Sequence, residues 1–474
     1  MERSSASLSR RRLLQTTALA TVSALLSACG SGGAATTAAT TVPATTGATG
    51  ASPAPAVSRG GTPTKLVFWR HQYEPTDKAF REIIFPDARQ KLNIEVDYQV
   101  QRTDDYQNTM LPQLATGGGP DLFEATEAFR VKFAKAGVYA PLDYAPWGGK
   151  GQWESFWQPG VLDVLRVDGQ DYHVPLEWAA IPNNLFVNGT HAQEAGIAGD
   201  IAKYQQTPIS WADLGPWAGK MTKKDANGNI TRDGFMIQHG YGADRTYSFW
   251  EPYFLQAGGK LLSDDGKTSL LNSEQGVAAM QNLYDYVFKY GASMLRPQDK
   301  ESGSAKVPKE ETSSTAGMSQ WAYGTFKQLA PTNWQNIRSL LAPQVDPTKP
   351  RYESGPGWSY GVLAKSKNKE AAFQFLHFVA AEHGSDLFDS GIVTPVTGWT
   401  DKYPGVAKLP DAPVWKKMSE EAKPRLRPAP EVLTQVQRQE GFQRAFEAIM
   451  FNKGDIKAEL KRWNQEVQDA LGNL

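Results

Sequence analysis

From Lys65 onward the hydrophobic pattern switches repeatedly between two periods, and each switch marks a new element. Lys65-Leu66-Val67-Phe68-Trp69 is a short apolar run that predicts a buried strand. Asp77 to Lys91 predicts a helix with Phe80, Ile83 and Ile84 on its buried face. From Asn93 to Val100 the period falls to two. Ile94, Val96, Tyr98 and Val100 share one side, with Glu95, Asp97 and Gln99 on the other, as in a half-buried strand. Asp104 to Thr116 predicts a helix that turns Tyr106, Met110, Leu111 and Leu114 inward, and Gly117-Gly118-Gly119-Pro120 stops it. Asp121-Leu122-Phe123 follows as a short buried strand. Strand and helix in alternation imply a parallel sheet with right-handed crossovers, hence an α/β class.

Beyond this unit the pattern is mixed. Residues 172–174 and 184–187 are strand candidates, and helices are expected near 211–221, 274–290, 436–451 and 455–471. Val362-Leu363-Ala364 reads as a strand feeding a helix at 368–382. Stretches rich in Pro, Lys and Glu at 297–312 and 343–356 read as exposed connections. The first α/β unit ends near residue 175, and the chain after it is too long for one appendage, so two lobes are expected.

The chain of 474 residues opens differently. Ser9-Arg10-Arg11-Arg12-Leu13-Leu14-Gln15 resembles a twin-arginine export motif, with Arg10 and Arg11 as the pair. The apolar stretch from Leu13 to Ala28 is short and rich in small residues. It ends in Leu26-Ser27-Ala28-Cys29-Gly30, which resembles a bacterial lipoprotein cleavage box. Cys29 is the only cysteine, so no internal disulfide can form, and the thiol stands where lipidation needs it. Residues 1–28 are therefore expected to be an export signal and 29–63 a lipidated tether of Gly, Ala, Thr, Ser and Pro. Its root-mean-square reach is roughly 30–35 Å. Fifty basic and fifty acidic residues cancel, so nothing global points to nucleic acid. Aromatics are abundant, with 14 Trp, 17 Tyr and 20 Phe, and these become the candidates for recognition.

An ordered set of segments carries a family likeness: Leu66-Val67-Phe68-Trp69, Leu114-Ala115-Thr116-Gly117-Gly118-Gly119-Pro120-Asp121-Leu122-Phe123, Gly137-Val138-Tyr139-Ala140-Pro141-Leu142-Asp143, Asp171-Tyr172-His173-Val174-Pro175, Ser210-Trp211-Ala212-Asp213-Leu214, Gly355-Pro356-Gly357-Trp358 and Ser366-Lys367-Asn368-Lys369-Glu370. Together they resemble a family 1 extracellular solute-binding protein of an ABC importer, the group that includes maltodextrin-binding proteins. The resemblance implies an α/β, two-lobed periplasmic-binding-protein fold, with a hinge and an interlobe ligand cleft. It places lobe 1 at 64–174 plus 355–392 and lobe 2 at 175–354 plus 393–474. It also implies a monomer that captures a sugar or oligosaccharide, delivers it to ABC permease subunits, needs no cofactor and catalyses no reaction.

Sugars present apolar C–H faces and rings of hydroxyls, so their sites combine flat aromatic faces with carboxylates and other hydrogen-bond partners. Trp69 and His71 follow the first strand, and Glu124 follows the Asp121-Leu122-Phe123 strand, at the carboxyl ends where open parallel sheets bind ligands. Glu177 and Trp178 stand at the first crossing between lobes, Trp250 and Trp321 in lobe 2, and Trp358 at the return crossing. These eight residues are the expected ligand contacts, and the resemblance singles out Trp358 as a stacking residue. Arg70 fits either the site or a solvated loop. Trp211, Trp217, Trp415 and Trp463 sit among apolar helical neighbours and are assigned to packing.

Other chemistries fare less well. Gly357-Trp358-Ser359-Tyr360-Gly361 matches the Gly-x-Ser-x-Gly nucleophile elbow, but that elbow needs a strand before the Ser and a helix after it. Here breakers precede the Ser and a strand-like run follows. Asp225-Ala226-Asn227-Gly228-Asn229 resembles the start of a calcium loop, yet Ile230 and Met236 occupy the positions that need Gly and Glu, so a polar hairpin turn is expected. The six histidines lack the spacing of a zinc hydrolase, and no metal is expected. Two alternatives stay open: a non-sugar solute such as a glycerol phosphate or polyamine, and a lipid-anchored glycoside-acting enzyme.

Overall fold

The computed structural model describes residues 61–106, 111–114, 119–179, 184–240, 243–296, 303–424 and 440–472. Arg10, Arg11 and Cys29 lie outside these. The described elements fall in one unit, Val57–Leu474.

The first apolar run forms strand β1 (Thr64–His71), and the alternating run forms β2 (Ile94–Gln101), paired in parallel from Thr64↔Ile94 to His71↔Gln101. β3 (Leu122–Ala125) lies parallel on the other side of β1, with Phe68 opposite Leu122. Antiparallel β12 (Ser359–Val362) and then β4 (His173–Val174) complete a five-stranded sheet, ordered β2-β1-β3-β12-β4. Alternation divides β1 between two cores. Leu66 and Phe68 pack with Phe80 and Ile84, whereas Trp69 packs with Tyr106, Leu114 and Phe123.

The second sheet has the order β10-β6-β9, from β6 (Asn184–Asn188), β9 (Thr315–Met318) and β10 (Ile337–Leu340), all antiparallel. Here too the period of two sorts the side chains. Leu185 and Val187 join a core with Trp211, Trp217, Trp250 and Trp463, while Phe186 packs against Tyr323 and Phe326 on the opposite face. Trp211, Trp217, Trp415 and Trp463 are all buried, as expected of packing residues.

Among the described residues, the segments that run between the two sheets lie side by side. β5 (Trp178–Ala179) pairs antiparallel with β11 (Glu353–Pro356), which also pairs with β13 (Lys423–Pro424). Trp178 bridges to Val393 as well, its N–H donating to the Val393 carbonyl at 2.8 Å. The backbone of Ser390 and Gly391 presses on the start of the helix Ala322–Leu329. A Cβ on Gly324 would lie 2.0 Å from the Ser390 carbonyl oxygen, so only glycine fits.

Several expectations need correction. Residues 353–356 are a strand rather than an exposed connection. Ser-Gly-Pro composition hides it, because pairing with the crossing segment makes the strand. Within 297–312, residues Gly303–Lys306 form a short helix whose Gly303, Ser304 and Ala305 are buried. Ile83 is 45 % exposed: residues Phe80–Ile84 wind as a wider π-turn, which keeps Phe80 and Ile84 inward and turns Ile83 out. The strand expected at 362–364 ends at Val362 and begins at Ser359. Buried Ser359 thus sits within a strand, not on a strand-to-helix elbow. The Asp225 turn joins β7 (Lys223–Lys224) to β8 (Ile230–Arg232) as a hairpin, with Asp225 Oδ1 accepting from the N–H groups of Asn227 and Asn229. No described helix is long and apolar enough to cross a membrane.

Candidate functional site

Strand register builds the site. Phe68 and Leu122 are opposite one another, so the next residues inward on that face are Arg70 of β1 and Glu124 of β3, and Tyr360 of β12 pairs with Glu124. Arg70 is fully buried. Its Nε donates to Tyr360 Oη at 3.0 Å and stands 3.3 Å from Glu124 Oε2, and its Nη1 donates to Asp77 Oδ1 at 3.0 Å. Tyr98 Oη donates to the same Asp77 oxygen at 2.6 Å. Burial works against the Arg70 charge, but Tyr360, Glu124, Tyr98 and Asp77 outweigh it and hold the guanidinium ionised. Arg70 is therefore no solvated loop residue. Removing one partner of such a buried pair costs about 3–5 kcal/mol, because a charge is left unpaired.

Glu124 passes this order outward. Its Oε1 accepts from the backbone N–H of His71 and faces His71 Nδ1. The imidazole so held lies flat on Trp358, with ring centroids 4.1 Å apart and planes 15° apart. Tyr106 meets Trp358 edge-on at 5.7 Å and donates its hydroxyl to the Glu124 carbonyl at 2.7 Å. Stacks of this kind contribute roughly 0.5–1.5 kcal/mol beyond their buried area. Glu177, on the crossing segment between β4 and β5, stands beside them. Its Oε2 lies 3.7 Å from Arg70 Nη2, and a Cβ on Gly357 would lie 3.3 Å from its Cγ. Its side chain is 14 % exposed. Burial pushes the Glu177 carboxyl up to about 7; His71 and Arg70 oppose this, and Glu124 adds to it.

A second aromatic group adjoins the first through the β1 loop. Tyr73 meets Trp321 edge-on, with centroids 6.4 Å apart, and donates its hydroxyl to the Trp321 carbonyl at 2.7 Å. The Arg245 guanidinium lies 5.3 Å from the centre of the Trp321 ring. Trp321 follows β9 and opens the helix Ala322–Leu329, so this contact joins the two sheets near the crossing.

The eight expected contacts thus divide. His71, Glu177 and Trp358 come together, and Trp321 is linked to them through Tyr73. Trp69 is 9 % exposed, packed with Tyr106 and Leu114, with its indole N–H donating to Gln99 at 2.9 Å. Three residues are sealed off and cannot meet a solute in this conformation. Glu124 is fully buried because both oxygens face Arg70 and His71. Trp178 is 1 % exposed because the crossing segments close around it. Trp250 is fully buried, stacked on Phe254 at 4.5 Å, with its indole N–H donating to the Gly276 carbonyl at 3.0 Å. Sequence reasoning missed Tyr73 and Arg245. Tyr73 lies just past the end of β1, where the strand-end rule that found His71 also applies. Arg245 sits in a helix and carries no such signal.

The architecture with crossing strands is similar to that of several solved structures. The ABC transporter solute-binding protein of Thermotoga lettingae TMO bound with α-D-tagatose is 20 % identical, with a TM-score of 0.73 over 86 % of this chain and 100 % of that one. The Listeria monocytogenes ABC substrate-binding protein in complex with cycloalternan is 17 % identical, with a TM-score of 0.70 over 86 % and 99 %. A Mycobacterium tuberculosis protein in complex with glycerophosphocholine is 16 % identical, with a TM-score of 0.70 over 87 % and 99 %. The fold is accordingly the two-lobed periplasmic-binding-protein fold, in which crossing strands act as the hinge. A family model matches residues 72–386, from just past β1 through β5, β11 and β12 to beyond the helix Lys369–Glu382, and by that match the chain belongs to the bacterial extracellular solute-binding proteins.

Proposed function

We propose that this chain is the extracytoplasmic component of an ABC importer and captures a sugar or oligosaccharide between its lobes. The observation that carries this reading is the His71–Trp358 stack beside partly exposed Glu177 at the hinge crossing. A flat aromatic surface next to a carboxylate suits the C–H face and hydroxyls of a pyranose. Similar structures hold tagatose and cycloalternan, which supports a sugar, while another holds glycerophosphocholine, the kind of solute the alternative reading names. In this reading lobe 1 spans 64–174 plus 355–392, lobe 2 spans 175–354 plus 393–474, and the protein works as a monomer without turnover of its ligand. Native mass spectrometry of gently purified protein incubated with a sugar panel tests it. The expected result is a one-to-one complex from which intact sugar is recovered. Hydrolysed sugar, or no complex with any sugar, contradicts it.

The same proposal includes export through the Arg10-Arg11 motif and attachment by a lipid on Cys29. The small-residue box Leu26-Ser27-Ala28-Cys29 and the polar tether behind it support this. Cys29→Ser is expected to move the protein from the membrane fraction to the soluble fraction. Continued sedimentation with membranes would count against the anchor.

A further inference from the structure

His71 has two ring nitrogens, and their surroundings differ. Nδ1 faces Glu124 Oε1, which also accepts from the His71 backbone N–H. The other carboxylate oxygen, Oε2, faces Arg70 Nε at 3.3 Å. A backbone N–H and a guanidinium can only donate, so both Glu124 oxygens are set out as acceptors, and the Nδ1 beside them carries a hydrogen. Glu124 is fully buried in β3, between β1 and β12, and Tyr106 Oη donates to its carbonyl at 2.7 Å, so the carboxylate has little freedom to turn elsewhere. Trp358 lies flat on the imidazole and holds its plane. Nε2 is the nitrogen left over. The His71 side chain keeps 10 % of its surface. Among the described residues Nε2 has no hydrogen-bond partner, yet it is not among the sealed polar atoms, as Arg70 Nη2 and Glu177 Oε2 are. In a neutral imidazole with its hydrogen on Nδ1, Nε2 is an acceptor.

We propose that Glu124, sealed from the solute itself, is a positioning residue for His71: it fixes the ring with hydrogen on Nδ1, so that Nε2 meets the solute as an acceptor and takes a hydrogen bond from one of its hydroxyls. This rests on the sugar-capture reading above and adds the polarity of one contact and the residue that sets it. Strand register explains the arrangement. Trp69 pairs with Phe123, so the residues that leave β1 and β3 side by side are the acid and the backbone N–H and ring of His71. The polarity has a consequence for specificity. A hydroxyl fits because it can donate, whereas fluorine in the same place cannot and leaves Nε2 unpaired. Losing one such bond weakens binding roughly fivefold or more.

The test begins on the free protein. Long-range proton–nitrogen NMR of histidine-labelled protein at about pH 8, above the ordinary histidine range, tells the two tautomers apart, and His71→Gln identifies the His71 signals by their loss. The expected result is a single tautomer with hydrogen on Nδ1. Tagatose, maltose and maltotriose, with their monodeoxyfluoro derivatives, then probe the contact by calorimetry. In wild type one fluorinated position is expected to weaken binding roughly fivefold or more, and in His71→Ala the same replacement is expected to cost nothing further. Glu124→Gln keeps the shape of the side chain; it is expected to show both tautomers and to bind the same sugar roughly fivefold or more weakly. Where that variant does not fold, the wild-type tautomer and the fluorinated series decide. A His71 ring with hydrogen on Nε2 or on both nitrogens, an unchanged tautomer in folded Glu124→Gln, or fluorine effects that all persist in His71→Ala overturn the proposal and leave sugar capture standing. Failure of every sugar overturns sugar capture and the hydroxyl contact with it, whatever the tautomer.

Discussion

At Trp250 the indole is closed over by Phe254, Phe442 and Trp463, whereas Trp358 stacks on His71 and the residue is only half-buried. The two residues should therefore fail in opposite ways. Trp250→Ala opens a large cavity and is expected to cost about 3–5 kcal/mol of stability, with the affinity of the folded fraction unchanged. Trp358→Ala is expected to weaken sugar binding at least tenfold, about 1.4 kcal/mol, with little change in the unfolding midpoint. Denaturant unfolding and calorimetry on both variants check this, and an exchange of the two outcomes would remove Trp358 from the site. The sequence offered both as candidates because residue type speaks to what an indole can do, not to what surrounds it. Trp250 and Phe254 are four apart on a helix, a spacing that fits a buried stack as well as a platform. Glu124 shows the same limit. Its place at the end of β3 was readable, but whether it faces a solute depends on Arg70, more than fifty residues away in the chain.

The elements were legible where period and burial agree. β1, β2 and β3 follow from an apolar run, a clean alternation and a short apolar run preceded by glycines, and the helices Lys369–Glu382 and Ile456–Gly472 lie within a residue or two of their expected bounds. The crossing strands were the least legible. β5 and β11 are short, and β11 ends in Ser-Gly-Pro, so neither propensity nor periodicity marks them. Their order comes from antiparallel pairing between segments about 175 residues apart, Gly355 with Ala179 and Pro356 with Trp178. These strands position the site, because Glu177 precedes β5 and Trp358 follows β11. Pairing them brings an acid and an aromatic face together.

At the scale of the described molecule, the two larger lobe sheets are joined by adjacent crossing segments, and the candidate site lies where β1, β3 and β12 meet them. Family membership fits this arrangement: a solute-binding protein needs two bodies, a pivot, and recognition groups beside the pivot. Such a protein can tighten when solute joins groups from both sheets, here His71, Glu177 and Trp358 with Trp321 across the Tyr73 contact. Amide hydrogen exchange, with and without the sugar retained in native mass spectrometry, tests this most directly. The account predicts slower exchange in the bound state for the end of β1 through Tyr73, the segment from Leu176 to Ala179, the start of the helix at Trp321, and the turn from Gly355 to Tyr360. A stoichiometric sugar complex whose protection falls elsewhere, with these four segments unchanged, would contradict it.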